Sequence, residues 1–271
     1  MRHHWFIGDI HGCYESLRRL EDKLGRASER AGADPYFVSV GDLVDRGPDS
    51  AAVVRHFREG SAAGTHTAIL GNHEEMMLRC IHSAVPEVFG DAGLSRWVAT
   101  GELYRSGSPR QTWLSDAEFQ MLGRLMWLSQ GGNPTLASFG IDPHSPARWL
   151  LPEDDLDWLN QLPVVFECDS AVATHALVTA ELLEYLIIAD QAEGSMSVDL
   201  RDAVSRALWL RSLPNAPPDE RVHVSGHTPL SRVRRYESRR LVRVDTGCYL
   251  GWRLSAWSPE LDRVISVKGP S

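Results

Sequence analysis

The chain has 271 residues, of which 43% are hydrophobic and 24% charged, a balance that supports a sizeable core and argues against intrinsic disorder. A formal net charge of −8 argues against a protein that coats nucleic acid or an anionic membrane, and no uninterrupted apolar run is long enough for a membrane-spanning helix. Cys13, Cys80, Cys168 and Cys248 are scattered without a CxxC pair. They read as core thiols, and MRHHWFIGDIHG at the start lacks a signal peptide's apolar stretch, so a cytoplasmic location is expected.

The first 80 residues read as strand–loop–helix units. Trp5–Ile7 is an apolar run ended by Gly8-Asp9, and Tyr14–Leu24 has helical spacing. Tyr36–Val40 ends in Gly41-Asp42 and leads to a helix near 49–58; Thr67–Leu70 ends in Gly71-Asn72 and leads to a helix through 74–81. Alternation of this kind predicts parallel strands with helical crossovers. Residues from about 83 to 150 carry Trp97, Trp113, Trp127 and Trp149 with many glycines and prolines. They read as a helical insertion, with helices near 94–105 and 115–129, which either covers the strand ends or only covers core. A helix at 153–162 precedes strands at 164–166 and 171–174, helices near 179–190 and 199–210, and strands at 222–225, 233–236, 241–244, 253–257 and 263–267. With no repeat or linker, residues 1–271 are expected to form a single domain.

Three strand ends carry similar punctuation: Gly8-Asp9-Ile10-His11-Gly12, Gly41-Asp42-Leu43-Val44-Asp45-Arg46-Gly47 and Gly71-Asn72-His73-Glu74. Each sets a metal-competent side chain directly after an apolar run, at the sheet edge where open α/β folds bind ligands. Asp9 and His11 are two apart, so in extended chain they face one ion. Asp42 could bridge two ions with its two oxygens, and Asn72 offers a neutral carbonyl. His175 and His227 each follow a further apolar run. A set of oxygen and imidazole donors without thiolate suits two divalent cations, Mn2+ first, with Fe or Zn2+ as alternatives. Such ions would lower the pKa of a bridging water and clamp the attacking and leaving oxygens, so a bridging hydroxide would attack phosphorus directly. Arg46 and Arg211, with Asn72, could hold the phosphate oxygens. His73 held by Asp45 would be an imidazolium that protonates the leaving group.

GDIHG at 8–12, GDLVDRG at 41–47, GNHE at 71–74, GHTP at 226–229 and DTG at 245–247 together resemble the phosphoprotein phosphatase family of calcineurin-like metallophosphoesterases, in particular its small bacterial and phage serine/threonine phosphatases. The resemblance spans nearly the whole chain. It implies an α/β fold with a central β-sandwich of two mixed sheets flanked by helices. By position, it implies Asp9 and His11 on the first metal, Asp42 between the two, and Asn72, His175 and His227 on the second. Asp45 and His73 would be the acid pair, with Arg46 on phosphate. Arg211 in LWLRS matches a shorter W-x-R string. Three departures stand out: Leu177 where an H-A-G string is usual, Gln130 in place of Asn before Gly131-Gly132, and Trp252 after Gly251 where a second Gly is common.

The first expected function is therefore a phosphomonoesterase acting on phosphoserine or phosphothreonine, with phosphotyrosine also in range, or on a small phosphoester. The second is a bis(5'-nucleosyl)-tetraphosphatase; against it, that subfamily typically has Ala at the position of Asp45 and GNHD in place of GNHE. A non-catalytic binding module on the same fold is the reading from another class. His3, His4, His56, His66, His82, His144 and His223 are read as surface or core residues. Asp245 is read either as a group orienting a ligand or as a turn cap, and Arg232–Arg240 as a solvated basic face.

Overall fold

A computed structural model describes residues 2–84, 115–192, 197–214 and 218–271. All ten expected strands form: β1 (Arg2–Ile7), β2 (Asp34–Ser39), β3 (His66–Ala68), β4 (Val165–Glu167), β5 (Ala171–Thr174), β6 (Val222–Ser225), β7 (Arg234–Tyr236), β8 (Leu241–Arg243), β9 (Arg253–Ser258) and β10 (Arg263–Lys268). They make two five-stranded sheets, ordered β10-β9-β1-β2-β3 and β4-β5-β6-β8-β7. In the first, β1, β2 and β3 run parallel while β9 and β10 are antiparallel. In the second, β5, β6 and β8 run parallel, with antiparallel β4 and β7 at the edges. Both sheets are mixed, and helices flank them.

The period-two alternation of a strand divides each sheet between two cores. Phe6 and Val38 meet Ala171, Ala173, Val224, Val242 and Trp257 in the layer between the sheets. Their neighbours Trp5, Ile7 and Phe37 face the helices instead. There they meet α1 (Tyr14–Arg30), which buries Leu17, Leu20, Leu24 and Ala27 on one helical face. Val53, Val54 and Phe57 of α2 (Ser50–Ala62) join the same core. Each fully buried side chain of this size contributes about 1.5–3 kcal/mol.

β1, Val40 after β2, and Leu70 after β3 lead into Asp9, Asp42 and α3 (Asn72–Ala84). β5, β6 and β8 lead into His175, His227 and Asp245. The carboxyl ends of six parallel strands, three from each sheet, therefore supply the site. The expected helix near 94–105 lies outside the described residues. The helix expected at 115–129 forms as α4 (Asp116–Trp127), opened by a reciprocal cap in which Ser115 Oγ accepts from Glu118 N and Glu118 returns to Ser115 N. A π-helical turn (Leu128–Gly132) and α5 (Asn133–Ser138) follow. They bring Trp127, Gly131 and Thr135 against the loop after β2.

Beyond these come α6 (Glu153–Asn160), α7 (Ala180–Gln191) and α8 (Val198–Trp209). On the basic run, Arg235 pairs with Glu237 and Asp262, and Arg240 with Glu220, as a solvated face would. Among the described residues, no helix is long and apolar enough to cross a membrane.

Candidate metal centre

The strand-end loops are not relaxed. Among the described residues, seven non-glycine residues have positive φ, and five of them are His11, Asp42, Asp45, Arg46 and His227. Such conformations cost energy and persist where the surroundings over-determine them, which marks functional loops. At Asp42 and the turn after it, one over-determining group is Glu74. It is fully buried and accepts four backbone N–H groups, from Gly71, Asp42, Leu43 and Val44, at 2.8–3.0 Å. Burial and then the nearby Asp42 push its carboxyl up to about 7. In the sequence Glu74 stands only as the last letter of GNHE; the one local signal of its structural work is an acid three residues after a strand-end glycine.

Asp42 sits at the centre. Its Oδ2 is 3.5 Å from His11 Nε2 and its Oδ1 is 3.4 Å from His175 Nε2. Burial opposes its charge, but His175, His73, His11 and His227 around it hold the carboxyl well below its usual range. Two groups of converging donor atoms share this residue: His11–Asp42–His73, and Asp42–His175–His227. Asn72 Oδ1 joins the second group, 2.8 Å from His175 Nε2 and 2.9 Å from His227 Nδ1. Asp9 belongs to neither triad. Its oxygens accept the His227 backbone N–H, and Gly226 leaves them room, since a Cβ there would lie 2.0 Å from Asp9 Oδ1.

The chemistry of these donors fits divalent cations. His11 Nδ1 donates to Val44 O and His175 Nδ1 to Val40 O, each at 2.8 Å. Burial pushes both imidazoles down, so each is neutral and its Nε2 carries a lone pair. The His175 lone pair then faces Asn72 Oδ1, Asp42 Oδ1 and His227 Nδ1, the last at 3.2 Å. Lone pairs that converge on one buried point suit a cation between them. Burial, then His175, takes His227 down to about 3. Its Nε2 is a buried atom with no hydrogen-bond partner. On the other side, burial followed by Asp245 and Asp42 pushes Asp9 well up. Carboxylates crowded this closely suit a cation beside them. Asp245 caps its turn by accepting from Gly247 N at 2.9 Å, and its side chain also lies against Asp9.

His73 is different. Its Nδ1 is 2.6 Å from Asp45 Oδ2, and Asp45 also accepts from Trp127 Nε1 at 3.0 Å and Thr135 Oγ1 at 2.8 Å. Burial disfavours charge on His73, but Asp42 and Asp45 outweigh it and raise the imidazole. The shared proton belongs on the ring, because Asp45 is already held as an acceptor by two other donors. Arg46 Nη2 lies 3.0 Å from His73 Nε2, and its guanidinium lies 4.1 Å from the centre of the Tyr249 ring. Trp127 is buried, and its indole N–H also orients Asp45. Arg211 is exposed, and its charge reaches His175 and His227. His223 is no ligand: its Nε2 meets Thr174 Oγ1 at 2.6 Å.

This site sits within a recognised sequence family: residues 3–250 match the model for calcineurin-like phosphoesterases. The chain belongs to that family. It is a metal-dependent phosphoesterase. It is 28% identical to the symmetrical bis(5'-nucleosyl)-tetraphosphatase of Shewanella baltica, over 98% of this chain and 97% of the relative. It is 44% identical to serine/threonine-protein phosphatase 1 of Salmonella typhimurium, but over only 28% of this chain and 32% of that one. A crystal structure of a protein assigned as a diadenosine tetraphosphatase shares the fold, with a TM-score of 0.58 at 20% identity, covering 99% of this chain and 94% of its own.

Proposed function

We propose that this phosphoesterase works through a two-cation centre arranged around Asp42, and that its substrate is a dinucleoside polyphosphate. The observation that carries the reaction is the position of Asp42 between two sets of lone pairs. Asp9, His11 and Asp42 would hold one cation, and Asp42, Asn72, His175 and His227 the other. When bound, such a pair supplies an activated water and neutralises charge on the phosphoryl group.

The chain's own residues do the rest. Arg46 and Arg211 offer guanidinium groups to the phosphate oxygens, and the Asn72 amide N–H₂ is a further donor. His73 protonates the leaving oxygen from Nε2 while Asp45 holds Nδ1. Arg46 and a protonated Nε2 cannot share their 3.0 Å contact, because both would be donors. Capture of Arg46 by the substrate phosphate is therefore what frees His73 to carry the proton.

For the substrate, similarity to the tetraphosphatase runs the length of both chains, whereas similarity to the protein phosphatase is confined to 28% of this one. Tyr249, 4.9 Å from the His11 ring, and the part-exposed Trp209, 6.2 Å from the His227 ring, offer faces on which a base could stack. A second reading, phosphoserine or phosphothreonine hydrolysis, draws on the Asp45–His73 pair. An alkoxide is a poor leaving group that needs an acid. A nucleotide phosphate, whose second ionisation lies near a pKa of about 6, needs far less help.

The test is kcat/KM on diadenosine tetraphosphate and on a phosphoserine peptide, with Mn2+. Preference for the tetraphosphate by more than tenfold supports the first reading, and the reverse preference moves the assignment to the second. No turnover of either, nor of an aryl phosphate, by the metal-loaded protein would sink both.

A further inference from the structure

A second cluster of metal-competent side chains lies away from the catalytic loops and shares no residue with them. Glu21 of α1, His56 of α2 and His66 of β3 bring one donor atom each within 4.8 Å of the other two. Glu21 Oε2 is 2.7 Å from His56 Nε2, and Glu21 Oε1 is 3.3 Å from His66 Nε2. Their side chains are 10%, 20% and 10% exposed, in the same order.

We propose that Glu21, His56 and His66 bind one divalent transition-metal ion of the Zn2+ type, which pins α1, α2 and β3 together. The surroundings of His66 are built for this. Thr65 Oγ1 donates to Gly60 O at 3.2 Å, so toward the ring it presents an acceptor, 2.8 Å from His66 Nδ1. With an ion bound, His66 would carry its proton on Nδ1 and turn the Nε2 lone pair toward the metal beside Glu21. That is the tautomer a ligand needs, fixed by the outer hydrogen bond usual for metal-bound histidine.

Gly60 makes the room. A Cβ there would lie 2.1 Å from His66 Nδ1, and a glycine inside a helix costs roughly 0.5–1 kcal/mol relative to alanine. The rings of Phe37 and Phe57 wall the site at 4.9 and 5.5 Å from His66. His56 is the most exposed of the three, so a fourth ligand would be water entering from its side. Two imidazoles and one carboxylate suit Zn2+ and not Ca2+ or Mg2+, which take oxygen ligands. An ordinary glutamate–histidine ion pair is the competing account, and it requires no metal.

The test is metal content by mass spectrometry on the full chain, stripped with chelator and dialysed against micromolar Zn2+. Wild type should hold one equivalent more than Glu21→Gln or His56→Gln, and Zn2+ should raise its melting temperature more than theirs. Thr65→Val should weaken that equivalent by roughly 10–100-fold. Phosphoesterase turnover of the variants with Mn2+ should stay within about twofold of wild type, which reports that they fold. Equal metal content in wild type and both variants overturns the proposal. If the catalytic centre were misassigned, the total count would change but the difference between wild type and Glu21→Gln would remain.

Discussion

His11 and His175 on one side and His73 on the other are all buried within reach of Asp42, yet the molecule equips them differently. His11 and His175 give their Nδ1 protons to backbone carbonyls. A carbonyl carries no net charge, so burial dominates and both rings stay neutral with a free lone pair. His73 gives its Nδ1 proton to Asp45, and the carboxylates raise it instead. The partner of the far nitrogen thus sorts chemically identical side chains into proposed ligands and a proposed acid.

Removing the shared residue should break both halves at once. Asp42→Ala is expected to abolish turnover and to drop metal content at the catalytic centre, read by mass spectrometry. A variant that keeps both ions would contradict the bridging role. Next in size, His73→Asn should lower kcat by at least 10²-fold with alkoxide leaving groups while metals stay bound. Aryl phosphates and nucleotide polyphosphates should suffer least. Equal losses across leaving groups would count against the acid role.

The comparison sharpens with pH. The acid must be protonated, so the rate with poor leaving groups should fall as pH rises through the raised pKa of His73. Asp45→Asn removes a charge that favours the imidazolium and should move that fall to lower pH in a kcat–pH profile. An unmoved profile would detach Asp45 from the proton.

Smaller effects come from the supports. Glu74→Gln turns an amide N–H₂ toward backbone donors and leaves at least one of them unpaired. The cost is about 2 kcal/mol, a fall in melting temperature of roughly 4–8 °C by calorimetry. Trp127→Phe loses the indole N–H that both Asp45 oxygens share and leaves part of a buried pocket unfilled. It should cost about 1–2 kcal/mol and leave metal content unchanged.

Much of this site is legible in the sequence because donors directly follow apolar runs. Asp9, Asp42, Asn72, His175 and His227 stand where strands end, and strand ends can be read from a hydrophobic pattern. What a pattern does not carry is which backbone groups a side chain meets across the fold. The four N–H groups on Glu74 come from residues up to 32 positions away, and Trp127 reaches Asp45 across 82. The cluster of Glu21, His56 and His66 escaped for the same reason. Each residue is unremarkable in its own element, and only the packing of α1, α2 and β3 brings them together. Substrate choice was read from Asp45 and Glu74 in two short motifs, while similarity over the full length leans toward the tetraphosphatases. Local strings report on the chemistry at phosphorus, and the remainder of the chain carries what binds beyond it.

The central claim is that Asp42 joins two cations. Anomalous diffraction from crystals loaded with Mn2+ tests it most directly. The account predicts two peaks flanking the Asp42 carboxylate, one toward Asp9 and His11 and the other toward Asn72, His175 and His227. A single peak, or peaks that leave Asp42 uncoordinated, would contradict it.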